Sequence, residues 1–237
     1  EFQYRSGDGR FQSFAGYARS FTSGLEKKSY SYLAGIGYDN RNISIYSNLS
    51  GMGRNYRADM GYIRGQQYYD AERDTSIYIG MNHWFTRGSY TIYPENSKRI
   101  ISHEFNGRYI YDVDTAFSML NVEIEGGYTL EFASTARIQA SFNHTRVNLL
   151  YPFTFIGDDP LPAGIYRYDQ AEISLQSDQR KLFSLMAGGA YGTFYNGTRK
   201  QYTIGLKYRA QPWGNFSINV EQNFLEFPEP YGSDNLF

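Results

Sequence analysis

Glu123, Glu125 and Glu131 all fall at odd positions of the segment LNVEIEGGYTLEF, residues 120–132. In an extended chain alternate residues share a face, so these three carboxylates line one side of a strand. Glycosidase chemistry uses two carboxyl groups about 5 to 9 Å apart, and neighbours on one strand face stand about 7 Å apart. Spacing alone therefore allows the reaction. The adjoining strand offers Arg137 on its own polar face, which favours a cross-strand ladder of opposite charges. The histidines, His83, His103 and His144, lie on three separate segments without His-x-His or His-x-x-x-His spacing, which argues against zinc. Ser141, Asn143 and His144 are close in sequence. Asn143 and His144 point to opposite faces of one strand, so a hydrolytic triad does not assemble there. No Gly-x-Ser-x-Gly elbow occurs. Gly157-Asp158-Asp159-Pro160 and the alternation Asp70, Glu72, Asp74 offer oxygen ligands without EF-hand spacing, and both read as turns. These observations lead us to expect no catalytic residue, no metal and no cofactor.

The elements carrying these residues are strands. Helical periodicity is absent, whereas period-2 alternation recurs along the chain. Eleven segments are expected as strands, near 10–20, 29–38, 42–51, 75–85, 99–111, 115–130, 135–148, 166–177, 181–195, 198–209 and 215–226. In one of them Tyr202, Ile204, Leu206 and Tyr208 oppose Gln201, Thr203, Lys207 and Arg209. In another, Phe216, Ile218 and Val220 oppose Ser217, Asn219 and Glu221. Asp39-Asn40 and Asn196-Gly197 are tight-turn signals. Long connections are expected over 52–74, over 149–165 and from Glu226 onward, with a medium one from Thr86 to Lys98. In an up-and-down meander the three long ones fall on one side and short turns on the other, as in outer-membrane barrels. Most segments exceed the roughly 5–6 residues of an average strand and match the roughly 9–11 that cross a bilayer. Polar faces rich in Glu, Arg, Lys, Asn and Gln are costly in a sandwich core and normal in a wet lumen.

The composition fits that class. With 23 basic and 24 acidic residues there is no electrostatic case for nucleic acid. The absence of cysteine excludes disulfides and thiolate metal sites. No apolar run is long enough for a transmembrane helix. The chain opens on EFQYRSGDGR, which is neither a basic nor an apolar leader. Five Asn-x-Ser/Thr sequences, at Asn42, Asn48, Asn143, Asn196 and Asn215, fall in or beside expected strands and read as accidents of composition. A polar average with 24 tyrosines and 17 phenylalanines suits a barrel in which only alternate residues meet lipid and aromatic rings gather at both interfaces.

The stretch from Tyr191 to Phe237 resembles a family. Its Gly192-x-Phe194-Tyr195-x-Gly197 hairpin, Tyr208-Arg209 strand end and Leu225-Glu226-Phe227-Pro228 exit look like the C-terminal barrel of a Bacteroidota-type outer-membrane family. Ile36-Gly37-Tyr38-Asp39, Asp59-Met60-Gly61-Tyr62-Ile63-Arg64 and Tyr93-Pro94 look like the same family's early barrel. Members join a carbohydrate-binding-like N-terminal sandwich to that barrel and have no firmly assigned activity. The sandwich is absent here, so sugar binding does not carry over. The resemblance also implies further strands beyond Phe237, so the barrel is expected to be truncated here or, as the alternative, completed by another chain.

The sequence thus reads as one all-β domain over residues 1–237, an antiparallel up-and-down transmembrane β-barrel with eleven or twelve of its strands in view. Glu123, Glu125, Arg137, Gln139, Lys207 and Glu221 are expected to face the lumen. Tyr30, Tyr38, Tyr109, Tyr128, Tyr195 and Tyr208 are expected to build the aromatic girdles. The expected role is non-enzymatic: a pore, or a barrel subunit of an envelope transport, secretion or surface-display assembly in the bacterial outer membrane. Its partners would be outer-membrane lipid and other envelope proteins, with a small solute or glycan as cargo. Two other classes stay open: a barrel enzyme acting on lipid or polysaccharide, and a soluble carbohydrate-binding β-domain.

Overall fold

Period-2 segments become strands because β-branched and aromatic side chains fit a pleated surface, and here they do so almost throughout. The computed structural model describes residues 1–58, 67–70, 72–156, 159–210 and 212–236. Its strands are β1 (Phe2–Arg5), β2 (Phe11–Arg19), β3 (Tyr30–Asp39), β4 (Ile43–Met52), β5 (Gln67–Asp70), β6 (Thr75–Tyr78), β7 (Met81–Ile92) and β8 (Ile100–Asp114). There follow β9 (Met119–Phe132), β10 (Arg137–Leu149), β11 (Gly164–Gln176), β12 (Phe183–Phe194), β13 (Gly197–Ala210), β14 (Gly214–Glu226) and β15 (Ser233–Leu236). All but β5 and β6 join one sheet of 13 strands in the order β1-β2-β3-β4-β7-β8-β9-β10-β11-β12-β13-β14-β15, while β5 and β6 pair as a separate hairpin. At both ends of this sheet the strands pair antiparallel. Among the described residues no pairing joins β1 to β15, so closure into a barrel is not part of the observed topology.

The α-carbon contacts divide the chain into two compact units. Residues 1–88, 108–124 and 145–166 form unit one; residues 89–107, 125–144 and 167–237 form unit two. Unit one holds the buried apolar side chains Met81, Ile110, Val113, Leu120 and Leu161. It also holds both long connections, 53–80 and 150–163. An antiparallel bridge, Phe153 to Leu161, ties the second one into a hairpin-like loop. Because the sheet runs sequentially, both connections leave it at the same end, as the meander argument expects. The third expected long loop is instead a short passage, 227–232, into β15. The family-like segment 59–64, residues Gly157 and Asp158, and Phe237 lie outside the described residues.

Two expectations change. The segment expected over 75–85 resolves into β6 and β7, and β7 continues to Ile92. Arg87-Gly88-Ser89 imitates a turn. Gly88 instead lies flat in the ladder, where an added Cβ would meet only the Ser44 carbonyl and Ile45 at ordinary contact distance. The connection therefore shrinks from 86–98 to 93–99. The Asn196-Gly197 signal is displaced by one residue. Phe194 pairs with Gly197, so Tyr195 and Asn196 make the turn, with Tyr195 at φ 53. Gly197 is needed for another reason: a Cβ there would collide with the Glu226 carbonyl and the Phe227 ring.

Candidate functional site

Register decides which side chains meet. Across β12, β13 and β14 the ladder aligns Phe183 with Tyr208 and Phe216, Leu185 with Leu206 and Ile218, and Ala187 with Ile204 and Val220. Tyr202 follows beside Gly189, and Tyr191 beside Lys200 and Phe224. One face of unit two therefore carries aliphatic rows between two aromatic rows. That face is uncovered: Ile204 is 59% exposed and Ile218 69%. The opposite face aligns Ser184, Lys207 and Ser217, then Met186, Gly205 and Asn219, then Gly188, Thr203 and Glu221, then Ala190, Gln201 and Asn223. Large apolar groups on one side, with small and polar groups and the single Met186 on the other, is close to the alternation that the sequence shows.

The polar face of unit two is linked by side-chain hydrogen bonds. Arg199 donates to Gln201 Oε1 at 2.9 Å and to Asn223 Oδ1 at 3.1 Å. Gln201 and Asn223 both donate to Glu221 Oε1, at 3.0 and 2.9 Å. Arg137 lies 3.3 Å from Glu131, whose other oxygen accepts from Ser102 at 3.4 Å. Gln139 donates to Thr129 at 3.4 Å. A hollow of about 220 Å³ opens beside them, with Glu125 and Glu172 on its wall and Gly127, Ser141 and Ser174 among its lining.

In unit one the polar face carries a chain of charges. His83 Nδ1 lies 2.6 Å from Asp112 Oδ1, and its ring stacks on Phe85. Asn121 donates to Asp112 Oδ2 at 3.3 Å and to Glu123 at 3.0 Å. Arg108 follows at 3.8 Å from Glu123. From the β5–β6 hairpin comes Tyr68, whose phenol is pushed above its usual range by burial and then by the Asp112 carboxylate. A histidine oriented by an aspartate is the geometry of a general base. Among the described residues, however, no Ser or Thr hydroxyl is hydrogen-bonded to a histidine ring: His103 bonds Tyr128 and His144 bonds Asp169. Nor do three or more His, Asp or Glu side chains converge as a metal site among those residues. Asp70 accepts from the backbone amides of Glu72 and Arg73, and Asp74 from the Tyr69 hydroxyl. Those acids are therefore engaged within the hairpin.

Glu123, Glu125, Arg137, Gln139, Lys207 and Glu221 all fall in the polar register of their strands. Most of the tyrosines fall in the other register. Tyr208 stacks between Phe183 and Phe216. Tyr109 meets Trp84 edge-on, Tyr128 packs on Phe105, and Tyr30 stacks on Tyr32. The Tyr38 hydroxyl accepts from Asn40. Tyr195 is a turn residue, packed on Tyr168 and Phe194. Sequence reasoning missed the His83–Asp112 and His144–Asp169 pairs. Their partners stand 29 and 25 residues apart, and only strand register brings them together.

No protein family, curated protein or solved structure matches this chain.

Proposed function

We propose that this chain is membrane-spanning β-barrel wall from a bacterial outer membrane, acting without catalysis as a pore or as the barrel subunit of an envelope transport, secretion or display complex. The observation that carries the reading is the uncovered face of β12 to β14, with aliphatic rows between aromatic rows. From Phe183 to Tyr191 that band runs about 26 Å at about 3.3 Å per residue. At a tilt of about 40° it is about 20 Å tall, close to the roughly 25 Å apolar band of such barrels. Aromatic rings at both edges suit the two headgroup interfaces, and aliphatic side chains suit the hydrocarbon between them. Lys200 lies at one edge beside Glu226, at 3.5 Å, where a long amine can reach headgroups. The hydrogen-bonded polar residues on the other face suit a water-filled lumen, and the resemblance to a Bacteroidota-type barrel family points the same way.

Trp84 tests the reading. It is 48% exposed in the apolar register of β7, with its indole N–H on Ser47. A Trp213→Phe variant leaves Trp84 as the single tryptophan, which is excited selectively at wavelengths that tyrosine does not absorb. In vesicles of brominated lipid its emission should be strongly quenched. Emission equal to that in unbrominated vesicles contradicts a lipid-facing band.

A further inference from the structure

We propose that the polar face of unit one carries a binding track for an uncharged oligosaccharide, built on the rings of Phe14, Tyr46 and Phe85. The inference names a cargo class for the proposed conduit and rests on that reading of the polar face. Alternation calls for small or polar side chains in this register, and these three rings depart from it. They stand on β2, β4 and β7. The Phe14 and Tyr46 centroids are 6.3 Å apart with their planes at 22°, and Tyr46 and Phe85 follow at 6.1 Å. The row ends on the His83 ring, 6.4 Å from Phe85 and 16° from parallel to it. Between β2 and β4, β3 offers no side chain at two levels: Gly35 faces Phe14 and Asn48, and Gly37 faces Gln12 and Tyr46. Phe14 uses that room, leaning over Gly35 where a Cβ would stand. Asn48 donates to the Tyr46 hydroxyl at 3.2 Å, and the Arg87 guanidinium lies 5.5 Å from the centre of the Tyr46 ring. All three rings are only half-buried.

The chemistry of the row selects the ligand. A sugar ring has an apolar C–H face and a rim of hydroxyls that both donate and accept. Aromatic faces suit the first, and orienting polar groups beside them suit the second. Those groups continue the row on β8 and β9: Asp112, Asn121, Glu123 and Arg108, joined one to the next and all half-buried. Carboxylates accept from hydroxyls, and guanidinium and amide groups donate to them. The charges stand in opposite pairs, His83 at 2.6 Å from Asp112 and Arg108 at 3.8 Å from Glu123. Little net field is left to hold an ion, so an uncharged polyhydroxyl ligand fits better than a salt. β2 and β7 are three strand spacings apart in the sheet, about 14 Å. That distance suits a chain of several sugar rings better than one.

The test is calorimetric titration of maltotriose, cellotriose and chitotriose into the full chain folded in a detergent without a sugar headgroup. Sorbitol, a polyol without a ring, is the control. The expected result is saturable binding of at least one trisaccharide, weakened at least about threefold in Phe85→Leu, as the loss of an aromatic contact implies. Phe85→Tyr keeps the ring and should keep the affinity. Tyr208→Leu removes a ring from the apolar face of unit two and should leave binding unchanged. Absence of saturable binding for all three sugars, equal affinity in Phe85→Leu, or sorbitol binding as tightly as the trisaccharide each overturns the inference. Gel mobility with and without boiling is read on the same samples. Heat-modifiable mobility without binding overturns the sugar track alone. Binding without heat-modifiable mobility overturns the barrel reading alone, and the absence of both overturns both.

Discussion

Placing one charge on each face of β13 separates a lipid-facing surface from a wet one. Ile204 stands between Ala187 and Val220 in the middle of the aliphatic rows, and Thr203 stands between Gly188 and Glu221 on the polar face. The two positions are adjacent in sequence, equally removed from the turns, and differ only in the side they face. If the uncovered face lies in hydrocarbon, Ile204→Arg puts a guanidinium near the midplane, which costs about 2–4 kcal/mol in outer-membrane barrels. That is a factor of roughly 30 to 700 in the folding equilibrium. If the face lies in water, the exposed isoleucine is a surface position, and its replacement stays within about 0.5 kcal/mol. Thr203→Arg meets Glu221 on the polar side and should stay within about 1 kcal/mol in either case. The assay is reversible urea unfolding of the chain in lipid vesicles, followed by tryptophan emission. A large loss for Ile204→Arg beside a small one for Thr203→Arg is expected. Equal, small effects at both positions refute the assignment of faces.

Four further outcomes follow from the geometry. Gly197→Ala forces a methyl group against the Glu226 carbonyl and the Phe227 ring and should cost about 1–3 kcal/mol, as overpacking does. Gly126→Ala, with open space around it, should change urea stability by less than about 0.5 kcal/mol. In the turn between β11 and β12, Asp178 accepts from the Arg180 side chain, the Arg180 amide and Thr135. These bonds, that to the Arg180 side chain first, hold its carboxyl well below the usual range. A depressed carboxylate stabilises the fold above its unfolded pKa and loses that contribution as pH falls through the folded value. The stability gap between wild type and Asp178→Asn should therefore be present at neutral pH and shrink steadily in acid. A gap independent of pH denies the turn this role. Finally, Glu123→Lys with Glu125→Lys should shift the ion selectivity of single channels in planar bilayers towards anions. Unchanged selectivity contradicts a conducting lumen lined by these residues.

Local alternation made most of the sheet legible. LNVEIEGGYTLEF became β9 almost end to end because each residue reports its face through its two neighbours. The failures came where one residue type serves two purposes. Gly88 and Gly197 are both turn formers by habit, yet one lies in a ladder and the other admits a neighbouring strand. The β5–β6 hairpin was hidden because each of its strands has only four residues, too few for alternation to show. The candidate site was legible only as a face. Which residues on that face touch depends on register between strands, and the sequence carries no short-range signal for it. His83 and Asp112 illustrate the limit: one adjoins Trp84 in an apolar segment, the other sits near a turn, and nothing local joins them. The hollow around Glu172 depends on small residues from β11 and β12 falling at one level, a property of pairing and not of either strand alone.

The central claim is that the uncovered apolar face lies in a membrane. The most direct measurement is fractionation of the native full-length protein from the envelope, followed by electrophoresis of the detergent extract with and without boiling. The account predicts recovery in the outer-membrane fraction and a folded band that migrates differently until it is boiled. A protein that stays monodisperse without detergent, with one mobility before and after boiling, contradicts it and turns the apolar face of β9 inward.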